Sequence, residues 1–167
     1  MIQDLDEEVF KEAVGVILAE KFPEIKSLTD PQREALFSFV SGKDVLAILP
    51  TGSGKSLVFQ MVPALLDCLR AKGISRVPEK PILLIICPLN YLIDSHVRDL
   101  RQRGFAASVM KNKEDEENIM NGNSTFVFCN PESVINNQKW RDVIASPCYQ
   151  ENLVGFVTDE VHCIPKW

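Results

Sequence analysis

The sequence has no excess of positive charge and no long apolar run, and each absence argues against a class of protein. Its 167 residues include 18 lysines and arginines against 23 aspartates and glutamates, for a formal net charge of −5 at pH 7. A polybasic protein that holds nucleic acid through diffuse positive charge is therefore disfavoured, although backbone amides and a few placed side chains could still bind it. No run reaches the ~18 consecutive apolar residues of a membrane-spanning helix.

Histidine is scarce and the CxxC spacing is absent, which argues against a zinc site. There are two histidines, His96 and His162, and five cysteines, at positions 68, 87, 129, 148 and 163. Buried reduced thiols are the simpler interpretation of the cysteines. The acidic N-terminal segment lacks the basic-then-apolar order of a signal peptide. Together these features predict an intracellular protein.

Short apolar runs alternate with amphipathic segments along the chain. The predicted strands are 45–49, 82–87, 125–129 and 153–158, with a small extra strand at 106–110. The predicted helices are about 4–20, 30–40, 55–70, 90–103 and 138–145, and the charged run 111–118 is a solvated helix start or loop. Such alternation predicts one α/β domain with a mostly parallel sheet and helices on both faces.

The most specific feature is the glycine-rich segment Thr51-Gly52-Ser53-Gly54-Lys55-Ser56, between a predicted strand and a predicted helix. Its glycines allow successive backbone N–H groups to surround phosphate oxygens at a helix N-terminus. Lys55 supplies a positive charge for the β- and γ-phosphates, and the Ser56 hydroxyl can bind Mg²⁺. Leu49 stands where the full phosphate-loop pattern has glycine, so the match is to a shortened variant. The alternative is a chance glycine turn.

Two adjacent acids, Asp159 and Glu160, follow the last predicted strand. A carboxylate there can join the Mg²⁺ coordination shell, and its neighbour can orient or deprotonate an attacking water. Adjacent acids also occur as ordinary loop residues. Combined with the phosphate loop, however, they predict a Mg²⁺-dependent nucleoside triphosphatase.

These residues resemble the superfamily 2 helicases. The string 158–167, TDEVHCIPKW, is similar to the DEAH-type box (motif II) of the RecQ branch, including the cysteine and the later tryptophan. Residues 49–57 resemble motif I of the same branch. Segments 87–94 and 128–132 resemble motifs Ia and Ib, and Gln32 lies at the spacing of the motif 0 glutamine. The resemblance covers about residues 22–167.

The resemblance implies a P-loop NTPase lobe with a RecA-like parallel sheet, in a RecQ-like DNA helicase. It implies ATP and Mg²⁺ as cofactors, 3′→5′ movement along single-stranded or forked DNA, a second RecA-like lobe as partner, and a role in DNA repair and recombination. The expected location is the nucleus, or the cytoplasm of a prokaryote. Residues 1–21 form an N-terminal helical extension to the lobe in this interpretation.

Individual roles also follow from the resemblance. The catalytic candidates are Lys55, Asp159, Glu160 and His162. In the family, the histidine at the position of His162 links the γ-phosphate to the neighbouring motif. The alternative is that His162 is a lone, partly buried histidine. Gln32 would select adenine, or is simply an exposed glutamine at a helix start. The implied DNA contacts are Pro88, Leu89, Asn90, Asn130, Pro131, Glu132 and Trp167. Trp140 is assigned to the core rather than to base stacking.

Departures from the family pattern define further expectations. Ile25 and Thr29 replace the aromatic and the arginine that sandwich adenine, so base stacking is weakened. Motif III and the second lobe are not in the sequence. We therefore expect an incomplete lobe with little hydrolysis of its own, in which strands 45–49 and 153–158 flank a gap and promote association. A non-catalytic nucleotide- or DNA-binding module, or a lobe of another superfamily 2 (RNA) helicase, remains the alternative.

Overall fold

A computed structural model describes residues 2, 5–50, 52–74 and 77–160. The chain divides into two compact units, Met1–Val77 and Pro78–Trp167. Within the described residues, no helix is both long and apolar enough to cross a membrane.

The described part of the first unit is helical. It contains α1 (Glu7–Lys21), α2 (Asp30–Val40) and α3 (Lys55–Ala71). Thr29 and Gln32 form a reciprocal capping box at the start of α2, which is a strong local signal for a helix N-terminus. Helix α3 packs against both α1 and α2. Its middle turns are buried on all sides, since every residue from Phe59 to Leu66 is buried, and Leu57 and Leu69 extend the buried surface at the two ends.

The strand predicted at 45–49 is wrong: residues 43–50 have no regular secondary structure. Leu46 is 73% exposed and Ile48 is 86% exposed, whereas a strand buried on both faces was expected. All described strands of the chain begin at residue 82 or later, so the first unit contains none that could pair with this run. An apolar sequence favours a strand, but the strand forms only where a second strand is present to pair with its backbone N–H and C=O groups. Association through the exposed run stays a prediction.

The second unit alternates strands and helices, which confirms the predicted α/β class. Its elements are β1 (Ile82–Ile86), α4 (Asn90–Gln102), β2 (Ala107–Val109), a 3₁₀ turn (Lys113–Asp115), α5 (Glu116–Met120), β3 (Phe126–Cys129), α6 (Pro131–Ile135), α7 (Gln138–Ala145), α8 (Pro147–Asn152) and β4 (Leu153–Thr158). Helices α6 and α8 were not predicted. Each follows an N-cap residue and begins at proline, a signal that the sequence did contain.

The four strands form one parallel sheet in the order β2-β3-β1-β4. Strands β1, β2 and β3 are almost fully buried, while Phe156 of β4 is 56% exposed. Because the strands are parallel, their carboxyl ends lie along one edge of the sheet. The segments after β1, β3 and β4 therefore lie along one edge of the sheet, and they contain the candidate residues 88–90, 130–132 and 159–160.

One residue of the predicted solvated run is buried and structural. The Asp115 carboxylate accepts hydrogen bonds from the Val109 backbone at 2.9 Å and from the Arg101 guanidinium at 2.8 Å. This pairing anchors the short strand β2 to its flanking turn. Trp140 is 4% exposed and belongs to the core cluster of the second unit, as predicted.

The described cysteines are free thiols, but the predicted burial is wrong for Cys68 and Cys148, which are only half-buried. Cys87 and Cys129 are buried in the second unit. Burial raises the pKa of the Cys129 thiol to about 12, because the thiolate would lose its hydration. The described residues include no group of three or more His, Cys, Asp or Glu side chains that could hold a metal ion.

Candidate nucleotide site

The phosphate loop connects an irregular segment to the N-terminus of α3. Gly52 and Gly54 have φ angles of 78° and 73°, left-handed conformations that strain residues with a Cβ. Gly54 is the N-cap of α3, and no side chain caps the helix. The first N–H groups of α3 therefore depend on partners other than a capping side chain, as at the anion-binding end of a helix. Thr51 lies outside the described residues.

Two polar side chains of the loop have arrangements suited to a phosphate ligand. The Lys55 ammonium donates to the Leu49 carbonyl at 3.0 Å, so its charge lies over the loop rather than in open solvent. The Ser53 hydroxyl is buried, and the described part of the chain offers it no hydrogen-bond partner. Buried polar atoms are normally satisfied, and an exception calls for a reason such as a ligand. Ser56 lies in the first turn of α3.

Gln32 holds the loop from α2. Its Nε2 donates to the carbonyls of Ser53 at 2.8 Å and Gly54 at 3.2 Å, while its Oε1 accepts from the Thr29 backbone. At 5% exposure the residue is buried, so the alternative of an exposed glutamine at a helix start is wrong. A Cβ on Gly54 would lie 2.9 Å from this Nε2, so the Gln32 side chain would have to shift, and the φ of 73° independently disfavours any residue other than glycine. Adenine selection by Gln32 stays a prediction.

Asp159 and Glu160 directly follow β4. The Asp159 N–H donates to the Ile86 carbonyl at 2.9 Å and so continues the ladder between β1 and β4. The Glu160 N–H donates to Asp159 Oδ1 at 3.0 Å. Glu160 has a φ of 55°, and it is the one non-glycine residue with positive φ in the described ranges. Such strained backbone concentrates at functional sites, which supports a functional role for the turn.

A third side chain, His96 of α4, contacts Asp159 and was missed by the sequence analysis. Its Nε2 lies 3.4 Å from Asp159 Oδ2, and both side chains are about 15% exposed (14% and 15%). The imidazole also stacks on Phe128 of β3, with ring centroids 6.0 Å apart and planes 14° from parallel. No local pattern could have identified it, because the contact depends on the β1–β4 pairing that brings Asp159 beside α4.

The predicted DNA-contact residues of motif Ia lie at the carboxyl end of β1. Leu89 is the N-cap of α4, and Pro88 precedes it. The Asn90 side chain accepts a hydrogen bond from the Lys111 ammonium at 2.9 Å. A positive side chain therefore stands beside this segment. Nucleic-acid binding here remains a prediction.

The motif Ib residues lie at the carboxyl end of the neighbouring strand β3. Asn130 caps α6 by accepting from the Ser133 N–H at 3.0 Å. Pro131 and Glu132 form the first turn of this helix. The Cys87 N–H donates to the Cys129 carbonyl at 2.9 Å, so the ends of the two strands are held together. His162 and Trp167 lie outside the described residues.

Each unit contains an oxygen group of the kind that magnesium prefers: the second unit has the Asp159 carboxylate, and the first has the Ser56 hydroxyl. Magnesium usually takes one or two protein carboxylates and fills its remaining positions with water and substrate phosphates.

Comparison with known proteins shows similarity to DNA helicases. The chain is 31% identical over 147 residues to the probable ATP-dependent DNA helicase RecS of Bacillus subtilis, covering 81% of the chain and 25% of RecS. It is 32% identical over 162 residues to the ATP-dependent DNA helicase Q-like SIM of Arabidopsis thaliana, covering 95% of the chain and 17% of that protein. The rat ATP-dependent DNA helicase Q1 is 28% identical over 145 residues, covering 81% of the chain and 21% of Q1.

The chain thus spans a quarter or less of these three relatives. Their names confirm the predicted resemblance to RecQ-like DNA helicases. Residues 29–167, most of the chain, match the family described as DEAD/DEAH box helicase. This chain therefore belongs to the DEAD/DEAH box helicase family.

Proposed function

We propose that the chain binds ATP with Mg²⁺ and serves as the ATP-binding lobe of a RecQ-like DNA helicase. The observation that carries the proposal is the phosphate loop, with two left-handed glycines, an uncapped helix N-terminus and the Lys55 ammonium in one short segment. In this proposal residues 22–167 are the lobe, and 1–21 are an extension to it.

The loop residues have complementary roles in this proposal. Backbone N–H groups of residues 52 and 54–56 donate to phosphate oxygens, and Lys55 exchanges the Leu49 carbonyl for the more strongly attractive phosphates. Ser56 and Asp159 are the proposed ligands of Mg²⁺, which when bound neutralises charge on the phosphates. Thr51 and Ser53 complete the proposed loop contacts, and the unpartnered Ser53 hydroxyl supports its assignment.

Glu160 is the proposed base that orients the attacking water. Its left-handed backbone conformation and the hydrogen bond from its N–H to the Asp159 side chain support this assignment. His162 is proposed to link the γ-phosphate to a neighbouring motif. Gln32 is proposed to contact adenine in addition to holding the loop.

DNA is the proposed polymer partner. The motif Ia and Ib segments follow adjacent parallel strands, so they form one edge surface with Lys111 beside it. The proposed contacts are Pro88, Leu89, Asn90, Asn130, Pro131, Glu132 and Trp167. We further propose that the whole helicase moves in the 3′→5′ direction on single-stranded or forked DNA and that a second RecA-like lobe is the partner of this one. The proposed location is the nucleus, or the cytoplasm of a prokaryote.

The decisive experiment compares two lysine variants of this chain. Lys55→Ala should abolish Mg²⁺-dependent binding of ATP, measured by calorimetry. Lys43→Ala removes an exposed lysine from the same unit and should leave binding unchanged. Equal ATP affinity in wild type and Lys55→Ala would refute the proposal. Adding single-stranded DNA or RNA of the same sequence to the assay then separates a DNA helicase lobe from an RNA helicase lobe.

A further inference from the structure

The geometry points to His96 as a positioning residue for the Asp159 carboxylate, and this inference rests on the proposed function. We propose that the imidazole Nε2–H holds Asp159 Oδ2 in the orientation needed to bind Mg²⁺. His96 does not itself bind the metal or the nucleotide in this proposal. It acts through Asp159.

The two oxygens of Asp159 have different neighbours. Oδ1 accepts from the Glu160 N–H at 3.0 Å, and Oδ2 lies 3.4 Å from His96 Nε2. Contacts at both oxygens restrain the rotation of the carboxylate plane about the χ2 bond. A carboxylate oxygen has two lone pairs, so an oxygen that accepts a hydrogen bond can also bind a metal. The distance of 3.4 Å is long for a hydrogen bond, as is common in catalytic sites before the substrate is bound.

His96 is itself held on two sides. Its ring stacks on Phe128 of β3, and its backbone belongs to the regular helix α4. Strand β3 lies on one side of β1 and β4 on the other, so Phe128 and Asp159 are fixed in the same parallel sheet. An imidazole restrained in this way can restrain its neighbour in turn.

Metal-binding carboxylates are generally hydrogen-bonded by outer partners, and loss of such a partner typically reduces metal affinity ~10- to 100-fold. A His96 that only filled space would show no such effect. Its ring would be replaceable by any aromatic group of similar size. The proposal therefore predicts that the hydrogen-bond donor of His96, and not the volume of its ring, determines the Mg²⁺ affinity.

The test uses three variants of this chain. His96→Phe keeps a ring against Phe128 but removes the donor, His96→Gln keeps an N–H donor without the ring, and Ser95→Ala is a control at the exposed neighbouring position. The measurement is the Mg²⁺ concentration that gives half-maximal binding of a fluorescent ATP analogue. Binding of Mn²⁺ in the presence of ATP, followed by electron paramagnetic resonance, provides a readout that does not depend on hydrolysis.

We expect His96→Phe to raise the required Mg²⁺ concentration ~10- to 100-fold. It should leave binding of the analogue in EDTA unchanged. His96→Gln and Ser95→Ala should stay close to wild type in both assays. If His96→Phe does not fold, His96→Leu tests the same loss of the donor with a smaller side chain.

Unchanged Mg²⁺ and Mn²⁺ dependence in a folded His96→Phe or His96→Leu variant would overturn the inference. So would an equal loss of binding with and without metal, which would indicate a purely structural role. These outcomes differ from failure of the proposed function. In that case wild type and Lys55→Ala would bind the analogue equally at every Mg²⁺ concentration, and both proposals would fall.

Discussion

Two apolar runs of five residues, 45–49 and 82–86, look alike in the sequence, but only the second forms a strand in the structure. The second becomes β1, with parallel neighbours on both sides and with Leu84 only 1% exposed. The first is irregular, and Leu46 is 73% exposed. Run 45–49 comes before the phosphate loop, and run 82–86 comes before the motif Ia segment. The difference teaches that strand formation here depends on available partners rather than on the run itself.

The two candidate catalytic segments are consequently held by different means. Asp159 continues a strand ladder, so the sheet holds its backbone. The phosphate loop follows an unpaired run, and individual side chains hold it instead: Gln32 bonds to Ser53 and Gly54, and Lys55 bonds to Leu49. Single substitutions near the loop should therefore have local effects, whereas substitutions in β1 should affect the whole second unit.

The largest expected effect contrasts the two runs directly. Leu84→Ala creates a cavity in a fully buried strand and should lower the free energy of unfolding by ~2–5 kcal/mol. Leu46→Ala removes an exposed side chain and should change it by no more than ~0.5 kcal/mol. Chemical denaturation of the two variants beside wild type provides the comparison. Equal destabilisation by both would mean that run 45–49 is also paired and buried in solution.

The second largest expected effect is the loss of stability when the hydrogen bonds from Gln32 to the phosphate loop are removed. Gln32→Leu keeps similar bulk but leaves the Ser53 and Gly54 carbonyls and the Thr29 N–H without this partner. Leaving such groups unsatisfied costs ~1–3 kcal/mol. We expect a lower melting temperature and faster amide hydrogen exchange at residues 52–56.

The control is Gln102→Leu, at an exposed position at the end of α4. It should leave both the melting temperature and the exchange of the loop amides unchanged. Identical exchange at the loop in Gln32→Leu and wild type would show that Gln32 is not what holds the loop.

The features that the sequence could predict are those with a local cause, and the features that it could not predict depend on contacts between distant parts of the chain. The starts of α2 and α3 were predictable, because the capping box at Thr29 and the glycine before Lys55 are local signals. The acid pair after β4 was likewise recognisable from its position. The bonds from Gln32 to the loop and the contact of His96 with Asp159 were not, because each joins residues far apart in the chain. Distant pairings of this kind depend on the assembled fold.

The smallest expected effect concerns glycine in the loop, and it compares two glycine-to-alanine changes within the first unit. Gly54 has a φ of 73°, and an added Cβ would lie 2.9 Å from Gln32 Nε2. The left-handed conformation alone costs an alanine ~1–2 kcal/mol. Gly15 lies inside α1 with no atom within 4 Å of an added Cβ, and alanine there should stabilise the helix by ~0.5–1 kcal/mol. Thermal unfolding should therefore move in opposite directions for Gly54→Ala and Gly15→Ala, and Gly54→Ala should also weaken ATP binding. If both changes raised the melting temperature, the loop would not have the left-handed geometry on which the proposed phosphate site depends.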